Sequence, residues 1–175
     1  MLTKVLLLIT AVFVFGTFAD TLAGGVTNIK EVVNDSSKVV KLTTFETKHR
    51  FEGPVKKSTG VITYGETWTG DMWVPWADNV DEFKEHFMSI EIIELRPRRA
   101  TDIHHMYMVY QSGEYVRASL YGILEMRGFG STTSGSYVPN APGVPGESKS
   151  GGERRVVVFD TKDSGVGFRF EKFSR

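Results

Sequence analysis

From residue 26 onward the chain is a succession of short runs rich in Val, Ile, Thr and aromatic residues, each cut by Gly, Pro, Asn or Ser. Such punctuation, at roughly 8–12-residue spacing, restricts a chain to an all-β sandwich or barrel. Val26 to Val33 and Lys38 to Phe45 flank the polar turn Asn34-Asp35-Ser36-Ser37. Gly53-Pro54 breaks the next stretch, and Gly60 precedes a short apolar run from Val61 to Tyr64. Pro75 cannot donate to a ladder and marks a strand end. Only Asn79 to Phe87 carries a helical period, through Val80, Phe83 and Phe87, with Asp81 and Glu82 in the first turn where the helix dipole favours acid. Met88 to Leu95 places Ile90, Ile92 and Ile93 on both strand faces, as a central strand would. Ile103 to Gln111 and Tyr115 to Met126 flank Ser112-Gly113, the pattern of a tight hairpin. Arg155 to Thr161 and Val166 to Phe173 form a second one. The expectation is an all-β fold, an antiparallel β-sandwich or barrel of about eight to nine short strands with at most one short helix.

The first residues are not part of that pattern. Lys4 precedes a predominantly apolar run from Val5 to Phe15, followed by Gly16-Thr17-Phe18-Ala19. Eleven residues reach only about 16 Å as a helix, half of a bilayer core, so residues 1–19 read as a secretory signal peptide cleaved after Ala19. A single β-rich domain over residues 20–175, secreted and extracellular, is expected. The chain has no cysteine, so a domain outside the cell has no disulfides to brace it and must stand on its core. Between Gly128 and Gly152 lie seven glycines and three prolines without apolar period, the composition of a long flexible loop.

All three tryptophans fall between Trp68 and Trp76. On a pleated strand Trp68, Met72, Val74 and Trp76 share one face, and Thr67, Thr69, Asp71 and Trp73 the other. The first set is expected to fill the core. The second combines an aromatic ring with a carboxylate and hydroxyls, which suits a sugar ring, apolar on its faces and polar around its rim. The candidate ligand-binding residues are therefore Thr69, Asp71 and Trp73, extended by Tyr64 and Asp78 and further by Glu66 and Asn79. Asn34-Asp35-Ser36 is a glycosylation sequon, which makes Asn34 a candidate surface site.

Other chemistries find less support. Lysine plus arginine and aspartate plus glutamate each number 21, so no basic excess points to nucleic acid. The neighbours His104 and His105 face opposite ways on a strand and cannot share a metal, and no zinc or calcium spacing occurs. No Gly-x-Ser-x-Gly elbow is present. The carboxylate pairs Glu66 with Asp71 and Glu91 with Glu94 have no spacing that selects them for glycoside hydrolysis. The expectation is a lectin-like binding protein without catalytic residues, metal or cofactor, whose partner is a glycan or other cell-surface ligand. The alternative is a membrane-binding or pore-forming protein that meets a membrane surface through its aromatics and the glycine-rich loop, since tryptophan and tyrosine favour the headgroup boundary. In size, lack of cysteine and strand content the chain resembles the secreted single-domain cytolysins of fungi and sea anemones, a likeness of composition that implies no activity. A structural or matrix role is the third reading.

Overall fold

A computed structural model describes residues 25–46, 55–99, 101–126, 137–163 and 165–174. The signal segment 1–19 and most of the first half of the glycine-rich loop, residues 128–136, lie outside them. The described elements run β1 (Thr27–Asp35), β2 (Val39–Glu46), β3 (Val55–Ser58), β4 (Thr67–Trp73), α1 (Val80–Glu85), β5 (His86–Glu94), β6 (Asp102–Ser112), β7 (Tyr115–Met126), β8 (Gly152–Asp160) and β9 (Val166–Lys172). They form two open sheets, β4-β1-β8-β9 and β3-β2-β5-β6-β7. One sequence-expected strand moves: residues 61–64 are irregular, and the strand lies at β3 just before Gly60. The antiparallel expectation holds except between β1 and β8, which run parallel. A parallel pair needs a long connection, and here the whole five-stranded sheet is laid down between its members.

The main core lies between the sheets. Ile29 and Val32 of β1, Met72 of β4, and Val156 and Val158 of β8 meet Val40 and Leu42 of β2 and Met88, Ile90 and Ile92 of β5. A second cluster sits on the outer face of the five-stranded sheet, where α1 inserts Phe83 among Phe87, Met108 and Tyr110. Phe83 meets Tyr110 edge-on, with centroids 5.4 Å apart. With apolar packing on both faces, β5 needs the near-continuous apolar sequence that it has. Asn79 caps α1 by accepting from the amides of Asp81 and Glu82.

Backbone straps cover the sandwich edges. Residues 59–66 cross from β3 to β4: Ile62 exchanges two backbone hydrogen bonds with Val40, and the Gly65 amide donates to the Asn34 carbonyl. At the opposite edge, residues 141–150 of the glycine-rich stretch join β7 to β9. The Ala118 amide donates to Pro142, Val144 to Val116, and the Phe170 amide to Pro145. Gly146 has φ 83°, and a Cβ there would stand 2.2 Å from the Phe170 carbonyl oxygen, so only glycine fits. This half of the expected flexible loop is thus an ordered strap. Val144 is buried in it, and the Tyr137 hydroxyl donates to the Asp78 carbonyl.

The surface position that a sugar on Asn34 would require is not found. Asn34 is 0% exposed. Its Nδ2, the atom that glycosylation would modify, donates to the carbonyls of Lys38 and Ile62 at 2.8 and 2.9 Å. Its Oδ1 accepts from the Ser36 amide and hydroxyl. Asn34 is the pin that holds the β1–β2 turn and the 59–66 crossover together. Asn34→Ala removes these four hydrogen bonds from a buried position and should lower stability by about 2–4 kcal/mol, given about 1 kcal/mol net for each bond. A urea titration would show it as a lower midpoint; an unchanged midpoint would contradict the buried placement.

Candidate ligand-binding cleft at the β4 edge

The crossover and the start of β4 enclose an open cleft of about 340 Å³, lined by Thr59, Val61, Ile62, Glu66, Thr67 and Trp68. Its walls follow from local sequence. Ile62 is pulled into the main core, which turns Val61, 45% exposed, toward solvent. Thr63 to Glu66 form a turn closed by the Glu66 amide on the Thr63 carbonyl, with Gly65 at φ 74° where a side chain would be strained. The turn bends Glu66 back so that its Oε2 accepts from the Thr63 amide at 2.8 Å. That bond from the Thr63 amide holds the Glu66 carboxyl below the usual carboxylate range. Glu66 is thus an ionised carboxylate anchored to the turn through Thr63, whose amide and side chain both act on it.

Trp68 forms the aromatic wall. A Cβ on Gly70 would lie 2.5 Å from the Trp68 Cζ2, so the indole rests along a backbone that has no side chain there. Trp68 packs against the main core without being sealed in it. It lines the cleft as well, so the core assignment made from alternation alone is only half of its role.

The outward half of β4 is as the pleat requires. Thr67, Thr69, Asp71 and Trp73 are all exposed, Trp73 at 48%. Asp71, however, is already engaged. Between the pairs Ile29 with Met72 and Glu31 with Thr69, β4 holds one more residue than β1, a bulge at Gly70-Asp71. Asp71 Oδ1 accepts from Asn28 Nδ2 at 2.7 Å and from Lys30 Nζ, and Lys57 donates to the Asp71 carbonyl. The Lys30 ammonium, then the Asn28 amide, hold the Asp71 carboxyl below its ordinary range. Tyr64 is 72% exposed in the turn before Glu66. Asp78 is not part of this surface: it accepts from the Ser112 hydroxyl, and its amide donates to Glu82 beside the start of α1. Trp76 lies past the end of β4, half-buried and in neither core cluster; alternation does not carry across Pro75. Sequence reasoning missed Thr59, Val61 and Ile62 as lining residues. The available signal for Trp68 was Gly70, two residues on and on the same face.

Other constellations separate. Glu91 and Glu94 fall on opposite faces of β5, being three residues apart. His104 Nδ1 lies 2.7 Å from Glu91 Oε1, both buried on the outer sheet face. Ser89 shares that face, but the rung of His104 is Ile93, about 13 Å along the strand from Ser89, too far for a nucleophile and its base. Among the described residues no three His, Asp or Glu side chains gather as a metal would require, and no helix is long and apolar enough to cross a membrane.

Comparison with protein-family profiles, with characterised proteins and with solved structures found no match. The class defined by fold and site is a two-sheet β-sandwich with an aromatic and acidic cleft at one edge.

Because the Asp71 carboxyl is depressed in the fold, its ion pair stabilises fully above the unfolded value of about 3.9 and is lost as pH falls through the lower folded value. Asp71→Asn should therefore narrow the drop in urea midpoint between neutral and strongly acid pH at low salt. Parallel wild-type and variant profiles would contradict the pairing.

Proposed function

We propose that the protein binds a polyhydroxylated ligand of the glycan class, outside the cell, in the cleft between Trp68 and the 59–66 crossover. The observation that carries this reading is the meeting of an indole wall and an ionised carboxylate, Glu66, in one open cleft. A sugar ring laid on the indole buries its C–H face. Its hydroxyls then donate to Glu66 and exchange hydrogen bonds with Thr67. The volume of about 340 Å³ is at the small end of ligand sites and suits one or two sugar rings of a longer chain that continues past the exposed Tyr64 or along β4 toward Trp73. The exposed strand face of Thr67, Thr69 and Trp73 extends the same surface; Asp71 contributes less, since Lys30 and Asn28 already occupy its Oδ1.

A glycan array followed by titration calorimetry tests the reading. Glu66→Gln should weaken binding about tenfold or more, the worth of a charged hydrogen bond, with little change in melting temperature. Trp68→Ala should abolish binding, while Trp73→Ala has the smaller effect. Loss of binding in Trp73→Ala with Glu66→Gln unaffected would move the ligand to the outer face of β4. Co-sedimentation with glycan-free vesicles and no glycan binding would replace this proposal with the membrane reading.

A further inference from the structure

A second cleft, again of about 340 Å³, opens at the opposite edge of the sandwich, where Tyr107, Ala118 and Leu120 face Phe168 beneath Pro142 and Pro145. We propose that this cleft binds a small apolar molecule bearing a single hydrogen-bonding group, of the phenol or terpenoid-alcohol class. The proposal is independent of the glycan site.

Leu120 is the first reason. It is the rung partner of Tyr107, and partners across a ladder share a face; Tyr107 packs against the main core. Leu120 therefore points to the interior side of its sheet, yet it is 53% exposed. The strap explains why. It follows β7 only as far as Ala118, whose amide bonds Pro142, and from Leu120 onward it no longer pairs with β7. Just there Tyr121 is an extra residue in β7, between the rungs Met106 with Gly122 and Tyr107 with Leu120. Bulges of this kind occur at sheet edges and beside binding sites, where they re-aim neighbouring side chains.

The lining supplies the second reason. No lining residue is charged, and the strap's Pro142 and Pro145 have no amide hydrogen to offer. Tyr107 and Phe168 form an aromatic corner, with centroids 4.9 Å apart at 70°. The single strong side-chain polar group is the Tyr107 hydroxyl, which has no hydrogen-bond partner among the described residues, and burial raises its pKa. An apolar site with one unpaired hydroxyl has the composition of a small-molecule pocket, in which bulk gives affinity and one polar contact gives orientation.

1-Naphthol and naphthalene are the probes. Calorimetry is combined with methyl carbon–proton NMR spectra of the full chain. Both probes should bind the wild type and shift the Ala118 and Leu120 methyl signals. Tyr107→Phe should weaken 1-naphthol about three- to tenfold, the worth of one neutral hydrogen bond, and leave naphthalene within about twofold. Ala118→Leu should exclude both by filling the cleft. Absence of methyl shifts, shifts centred elsewhere, or equal weakening of both probes by Tyr107→Phe would overturn the proposal. If Ala118→Leu fails to fold, the Tyr107→Phe comparison still decides.

Discussion

An open sandwich has four edge strands, each with a row of amide and carbonyl groups that water or another chain will otherwise take. In this protein the edges are β4 and β9 of one sheet and β3 and β7 of the other. The chain meets much of that demand with its own backbone. Residues 59–66 take over the β2 edge where β3 stops, and residues 141–150 tie β7 to β9. A strap bridging two twisted sheets cannot follow both edges at full length. Where each one departs, a cleft remains.

The free edge of β4 is protected differently. Its bulge at Gly70-Asp71 increases local twist, Lys57 donates to the Asp71 carbonyl, and Pro75 ends the run of donors. These are the devices by which edge strands avoid pairing with other chains. Asp71, attractive as a recognition group when only sequence is considered, is first a component of this arrangement through Asn28 and Lys30. Asn28 shows the same economy: its Oδ1 accepts from the Met72 amide while its Nδ2 donates to Asp71. The groups that line the cleft lie at the start of this strand, Glu66 just before it and Trp68 within it.

Most of the strand pattern was legible because runs such as Met88 to Leu95 and the hairpin at Ser112-Gly113 are local, and their periodicity survives packing. Alternation also divided β4 as found, with Met72 inside and Trp73 outside. It failed where a tertiary contact overrides period. Ile62 looks like a strand residue but is one rung of a strap, and Val55 to Ser58 pairs only because β2 offers an edge. The stretch after residue 136 is compositionally a loop, yet glycine and proline are what a strap needs to cross close over another backbone, as Gly146 does. Asn34 reads as a surface sequon, because nothing local reveals that Lys38 and Ile62 converge on its amide. The face of β5 that carries Glu91 was equally hidden. A carboxylate in an apolar run suggests exposure, whereas here it is buried with His104 as partner, and such a pair is tolerated in a core only with its geometry kept close.

The chemical contrast between the two clefts follows from which segment closes each edge. The crossover must turn through a hairpin-like bend to enter β4, and such a bend recruits polar residues that bond their own backbone; Glu66 on the Thr63 amide and Thr59 on the Leu42 amide are these residues. Both line the cleft beside Trp68. The 141–150 strap instead carries Pro142 and Pro145, which have no amide hydrogen, and gives the amides of Val144 and Glu147 to β7 and β9. A wall built that way has few donors left to present. One fold therefore yields a polar aromatic cleft on one side and an apolar one on the other, and the difference traces to the composition of two short connections and not to the core they enclose.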